Sequence, residues 1–308
     1  MFLRIDKLPV ELPAAPEADP KAASNVQELL GGRFGEMSTL MNYTYQSFNF
    51  RDRDKLRPYY ELISNIGGEE GGHIEIVAAS INSLLNGPRQ GYDTGENPLN
   101  APWKNLPGGA NPHHFIASGQ GALPVNALGA PWTGDYVFSS GNLILDLLHN
   151  FFLENGARTN KLRVYEMTDN PAARVMLGYL FVRGGVHAMA FAKALESLTG
   201  VEMSKMLPIP NIGNAMFPEA KKLIDQKSHL QLYRFSPDDY KSLSAIWSGP
   251  APAAYAEGVA GDFEFIDAPP QGANLAHLAG IASSFAPDYA PEEIHEIATK
   301  LYNKAKDK

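Results

Sequence analysis

The run Gly67-Gly68-Glu69-Glu70-Gly71-Gly72-His73 sets the tightest limit on what this chain can fold into. Around it, from about Arg57 to Leu85, apolar residues recur at helical spacing, with Pro58 in the first turn where proline is tolerated. Each glycine inside a helix costs roughly 0.5–1 kcal/mol relative to alanine. Such a helix needs a reason for them: close backbone approach, or a local bulge around a site. Glu70 and His73 stand at i and i+3, so a carboxylate and an imidazole share one helix face. Glu69 at i, i+4 from His73 shares it too, and spacing alone leaves open which glutamate acts. An E-x-x-H pair also arises by chance, with a solvated glutamate beside a packed histidine.

The same association of glycine with a titratable residue recurs. Gly31, Gly32 and Gly35 flank Glu36, and Gly184 and Gly185 precede His187. Tight helix packing is the plainer account of each run. Three further helical patterns cover about Ala22–Phe48, about Ser139–Met167, and Asn170-Pro171 to Gly200, the last of which opens on a cap and closes on a glycine stop. Glu36 precedes Glu70 by 34 residues and Glu154 precedes His187 by 33. Each interval fits two antiparallel helices joined by a short turn. Two such hairpins make an all-α four-helix bundle with a site at mid-height.

Glu154 follows the apolar run Leu147–Leu153, where a carboxylate is costly unless paired or metal-bound. Arg158 at i+4 is the alternative partner. Taken together, the helices offer Glu36, Glu70, His73, Glu154 and His187. Three carboxylates and two imidazoles without sulfur suit manganese or iron. Two divalent ions on three carboxylates leave one positive charge, which a bridging hydroxide neutralises.

The chain has no cysteine, which excludes thiolate metal sites, thiol nucleophiles and disulfides. A net charge of −8 without any basic run argues against nucleic acid and anionic membranes. Charged residues make up 19%, below the ~25% usual in soluble domains, which points to surface buried between subunits. Arg4, Asp6 and Lys7 interrupt any signal-peptide core, and no 18-residue apolar stretch lacks a charge, so neither export nor a membrane helix is expected and the cytoplasm is the expected location.

Residues 1–20 read as an extended arm rich in proline, and 21–200 as the bundle. The crossover 86–138 has no Asp, Glu, Lys or Arg from Asn105 to Gly134, and is expected to be ordered against another subunit. Residues 201–308 are expected to form a C-terminal extension that wraps the bundle or a neighbour. In it Ser236-Pro237-Asp238-Asp239 reads as a helix start, 249–272 as irregular, and about Pro291–Lys306 as a last helix.

The segments LLGGRFGEMSTLMNYTYQSFNF (29–50), the helix around Glu70 and His73, SGNLILDLLHNFFLENGARTNKLRVYEMTDNPAAR (140–174), GYLFVRGGVHAMAFAKALESLTGVEMSKMLPIP (178–210) and YRFSPDDY together resemble the manganese catalases of the ferritin-like superfamily. They match in order and spacing over roughly residues 1–245, the tail more loosely. The resemblance implies a dimanganese site that disproportionates hydrogen peroxide, with two manganese ions per subunit, in a hexamer. It assigns Glu36 and His73 to one ion, Glu154 and His187 to the other, and Glu70 to the bridge, which resolves the choice against Glu69. Tyr43 and Lys161 each lie seven residues, or about 10 Å along a helix, beyond Glu36 and Glu154. The resemblance makes them proton-handling residues near metal-bound solvent, and a lysine buried beside two cations is expected to titrate below its usual value.

One departure is Gly184, three residues before His187, where some manganese catalases carry a glutamate. Some relatives also hold calcium at a subunit interface, for which Glu61 and Asn65 are candidate ligands. The competing readings are a diiron oxidase or iron-storage protein, disfavoured by the missing fourth carboxylate, and a non-catalytic assembly or coat protein, disfavoured by the full ligand set. His113, His114, His149, His229, His277 and His295 are assigned structural roles.

Overall fold

The computed structural model describes residues 8–86, 114, 117, 121–203, 213–214, 217–236, 238–253, 255–267 and 292–306. The bundle is built from α1 (Pro20–Gly31), α2 (Glu36–Phe48), α3 (Arg57–Asn86), α4 (Leu143–Glu166) and α5 (Pro171–Thr199). Side-chain caps start three of them: Asp19 accepts from Ala22 N–H, Asn142 from Leu145 N–H and Asn170 from Ala172 N–H. Gly200, at φ 72°, closes α5 in the left-handed conformation expected of a glycine stop. Helix α2 lies along α3, α4 along α5, and α1 against α3.

The first helical pattern is two helices, not one. The chain breaks at Gly32-Arg33-Phe34-Gly35, and Gly35 in extended conformation caps α2. A Cβ on Gly31 would sit 2.4 Å from the Val125 carbonyl oxygen, so glycine there allows the crossover segment to press onto the end of α1. The break makes Glu36 the first residue of α2, where the helix dipole favours a carboxylate.

Helix α5 is long and apolar enough to cross a membrane by length and composition. In this fold 94% of that window is buried inside the protein, which makes it the central core helix. Apolar side chains form two main layers. One includes Leu29, Ile76, Val77, Met176 and Leu180; the other includes Tyr43, Ile66, Leu147, Val186 and Met189. Along α3 the layers leave a gap between Ile66 and Ile76, and along α5 between Leu180 and Val186. Glu70, His73 and Arg183 fall in those gaps, His187 at their edge, so the polar residues form a slab inside the bundle.

The arm packs Leu8, Leu12 and Ala15 into the core. Of the crossover, residues 114, 117 and 121–138 are described, and the last stretch runs along the chain's own α1 and α2. Gln27 donates to the carbonyls of Leu123 and Val125, Trp132 Nε1 donates to Ser38 Oγ, Asn42 bonds Tyr136 O and Phe138 N, and Gln46 donates to Phe138 O. Residues 87–113 lie outside the described residues.

Part of the extension packs onto the chain's own bundle. Leu230, Leu232, Leu243, Ile246, Trp247 and Phe263 join the second apolar layer. It adds a short helix α6 (Lys221–Asp225), the helix α7 (Glu292–Lys306), and a feature not expected, a two-stranded parallel sheet of β1 (Gln231–Tyr233) and β2 (Glu264–Ile266). No α-helix starts at Ser236: Ser236 Oγ donates to the Asp239 side chain, which is not a cap bond, and a five-residue 3₁₀ helix follows at Lys241–Ala245. Tyr240 at φ 55° turns the chain just before it, and Glu61 of α3 accepts from Ser242 N–H, so docking onto the bundle overrides the helix signal.

Candidate metal centre

Glu36, Glu70, His73, Glu154 and His187 come from four helices, and none is more than 2% exposed. Glu70 stands at the centre. Its Oε1 lies 2.8 Å from His187 Nδ1 and its Oε2 lies 3.1 Å from His73 Nδ1. Glu36 Oε2 is 3.4 Å from His73 Nδ1, and Glu154 Oε1 is 3.4 Å from His187 Nδ1. The two imidazoles stack, with centroids 5.5 Å apart and planes at 22°. Donor atoms of Glu70, His73 and His187 all lie within 4.8 Å of one another. The structure therefore brings all five residues into two Glu–His pairs on either side of Glu70.

The chemistry of this set fits a metal. Neither His187 nitrogen has a hydrogen bond of acceptable geometry within the protein, although both are buried, and the same holds for Glu36 Oε1 and His73 Nε2. Buried polar atoms without aligned partners are costly unless something else occupies them. Burial would push the Glu70 carboxyl up, but His73 and His187 outweigh it and hold it well below its usual range. Burial would push both imidazoles down, but Glu70 and Glu69 outweigh it and hold them well above theirs.

Tyr43 and Lys161 both reach the centre, each by crossing the bundle. Tyr43 OH donates to Glu154 Oε1 at 2.6 Å, and Lys161 Nζ lies 2.8 Å from Glu36 Oε1. Helix α2 runs antiparallel to α4, so two turns on from Glu36 is level with Glu154, and two turns on from Glu154 is level with Glu36. The lowered value expected of Lys161 belongs to a lysine beside two cations, whereas the groups that face Lys161 here are carboxylates. Burial pushes its ammonium down, but Glu36 and Glu154 outweigh that and raise it. Burial and Glu154 hold the Tyr43 phenol well above its ordinary value.

Sequence reasoning set Glu69 aside, and the structure gives it a central place. Glu69 lies on the outer side of both imidazoles, with Oε1 3.4 Å from His73 Nε2 and Oε2 3.1 Å from His187 Nε2. Arg183, fully buried, grips the same carboxylate with Nε at 2.5 Å and Nη2 at 3.0 Å. Arg183 Nη1 donates to the carbonyls of Ser228 and Gln231, and the guanidinium lies 3.7 Å from the Tyr233 ring centre. Thr39 Oγ1 also donates to Glu70 Oε2 at 2.8 Å. The signal was present: Arg183 is a charge in the apolar run of α5, four residues before His187, and a buried arginine needs a carboxylate.

Glu61 and Asn65 serve the extension. Glu61 accepts from Arg57 Nε and Ser242 N–H, while Asn65 donates to Tyr233 O and accepts from Phe235 N–H. Among the other histidines, His149 stacks on Phe138, His229 lies 3.3 Å from Ala256 O, and His114 is buried. His113 and His277 lie outside the described residues, as does the side chain of His295.

A family model described as manganese-containing catalase matches residues 1–307. A manganese catalase of Bacillus subtilis is 37% identical over 227 residues, which is 73% of this chain and 78% of that protein. The uncharacterised protein YjqC of Bacillus subtilis strain 168 is 34% identical over 279 residues, 90% of this chain and 94% of that one. Among solved structures, KatB, a manganese catalase from Anabaena, superposes with a TM-score of 0.52 at 25% identity, covering 64% of this chain and 81% of its own. With its helical fold and its Glu–His pairs about Glu70, the chain belongs to the manganese-containing catalase family.

Proposed function

We propose that the chain is a manganese catalase that disproportionates hydrogen peroxide to water and dioxygen at two manganese ions per chain. Glu36 and His73 would hold one ion, Glu154 and His187 the other, and Glu70 both. The observation that carries this reading is the position of Glu70, with one carboxylate oxygen toward each imidazole. The family match favours it over an iron oxidase or a coat component. Bound manganese supplies redox chemistry shared by two ions, so that one peroxide is reduced to water and a second oxidised to dioxygen.

The protein's part is orientation and proton handling. Glu69 faces both Nε2 atoms, which selects the tautomer whose Nδ1 lone pair points to the Glu70 side. Arg183 keeps Glu69 ionised and fixed. Tyr43 OH, bonded to Glu154, holds that carboxylate in place. Lys161 Nζ, beside Glu36, is placed to give or take a proton within the slab. The apolar layers above and below exclude bulk water.

The chain is further proposed to work as a hexamer. Support comes from large apolar side chains left outside: Phe48 is 67% exposed, Phe152 58% and Leu145 50%. The functional reading is tested by preparing the protein with manganese and following oxygen release from peroxide, with an absorption scan to exclude haem. Oxygen release that tracks manganese content supports it; manganese-loaded, haem-free protein without oxygen release overturns it.

A further inference from the structure

Arg183 joins the extension to the metal centre. Fully buried, it places Nε and Nη2 on the two oxygens of Glu69, and Nη1 on the carbonyls of Ser228 and Gln231. Glu69 in turn faces Nε2 of both His73 and His187. Two side chains, Arg183 and Glu69, thus bridge from the extension to either imidazole.

The turn that receives Arg183 is held from several sides. Lys227 holds φ at 61°, a left-handed conformation uncommon for a residue with a Cβ, and Leu230 N–H closes the turn on the Lys227 carbonyl at 2.8 Å. Backbone strain of this kind persists only where the surroundings over-determine it. Here the bend brings the Ser228 and Gln231 carbonyls to one nitrogen of Arg183. Between those two carbonyls, His229 O accepts from Tyr255 OH at 2.7 Å and Leu230 O accepts from Trp247 Nε1 at 3.2 Å. Beyond them the strand β1 pairs with β2, and the Tyr233 ring centre lies 3.7 Å from the guanidinium carbon. The extension therefore grips Arg183 with a turn that is itself fixed.

Resting on the catalase reading for the metal, we propose that Arg183 is a positioning residue through which the extension sets how tightly both manganese ions are held. One carboxylate serves two imidazoles, so slack in Glu69 is felt at both rings. The planar fork of a guanidinium fixes that carboxylate with two bonds while its far nitrogen is fixed by the turn. A lysine carries the same charge as a point and cannot do both. An arginine that only balanced the charge of Glu69 would be replaceable by lysine, and the test turns on that difference.

The test measures the manganese dissociation constant by titrating the ion into metal-free protein, for the parent, Arg183→Lys, Tyr255→Phe and Leu84→Ala. Leu84→Ala opens a cavity in the other apolar layer, a loss of stability away from this path. Arg183→Lys is expected to bind manganese about 10–100-fold more weakly, the usual cost of losing an outer partner of a metal ligand, and to shift the absorption of the loaded centre. Tyr255→Phe removes one hydroxyl from the far side of the turn and is expected to weaken manganese by about threefold or more, the scale of one hydrogen bond. Leu84→Ala is expected to lower the melting temperature yet stay within about twofold of the parent's affinity. Arg183→Lys within about twofold of the parent overturns the proposal, since charge alone then suffices. Leu84→Ala weakening manganese as much as Arg183→Lys also overturns it, since the effect is then a general loss of stability. Tyr255→Phe at the parent's affinity overturns it too, since the extension then has no part. If Arg183→Lys does not fold, Tyr255→Phe decides: weakened manganese supports the proposal and unchanged manganese overturns it. A parent that carries manganese but releases no oxygen from peroxide sinks the catalase reading, and the dissociation constants still test Arg183.

Discussion

Two adjacent glutamates on α3 do different work, and single substitutions separate them. Glu70 is the shared carboxylate between the histidines, so Glu70→Ala is expected to lose at least one manganese and nearly all activity with the helical fold retained. On sequence grounds Glu69→Ala should do much less. The structure revises that, because removing Glu69 leaves the Arg183 guanidinium buried without its carboxylate, a loss of about 3–5 kcal/mol. Thermal unfolding of the metal-free variants is expected to show Glu69→Ala melting below Glu70→Ala; the reverse order contradicts this role for Glu69. Lys161 is argued from its contact with Glu36. Lys161→Met is expected to keep both metals, lower turnover by about 10²–10⁴-fold and shift the pH profile. Turnover and pH dependence within about twofold of the parent, far short of a general acid–base contribution, would remove Lys161 from proton handling.

At the scale of elements, periodicity made the long helices legible: α3, α4 and α5 begin and end within a few residues of their expected bounds. Glu36, His73, Glu154 and His187 were readable from helical spacing and the hairpin intervals, which are local geometry, whereas the choice of Glu70 over Glu69 rested on the family resemblance alone. The break between α1 and α2 was not. A glycine run before Glu36 suits close packing and a helix break equally, and contact with Val125, some 94 residues on, decides between them. The glycines also have different uses: Gly31 admits the crossover, Gly184 and Gly185 admit Arg158, and a Cβ on Gly72 would meet nothing within 4 Å. Apart from its last helix, the pieces of the extension were not legible. Its strand and 3₁₀ turns are set by Arg183, Glu61 and Asn65 on the bundle, all remote in sequence. Asn65→Ala leaves the buried Tyr233 carbonyl and the Phe235 N–H without their partner, at about 1–3 kcal/mol, and is expected to lower the melting temperature by several degrees. An unchanged melting temperature would show that apolar contacts alone hold the extension.

For the molecule as a whole, a polar slab of buried glutamates, histidines, one lysine and one arginine interrupts an otherwise apolar bundle. Isolated buried charges cost several kcal/mol each, so the fold carries this slab only because the groups satisfy one another or a bound cation. The apolar residues left outside belong to the same scale. Sedimentation is expected to find a hexamer, and a monomer at micromolar concentration would leave Phe48, Phe152 and Leu145 unexplained. The central claim is that five side chains hold two manganese ions across Glu70. Diffraction from crystals of the manganese-loaded protein, recorded at the manganese absorption edge, tests it most directly. The account predicts two anomalous peaks in the slab, one beside Glu36 and His73, the other beside Glu154 and His187, with Glu70 touching both. A single peak, or peaks away from Glu70, would contradict it.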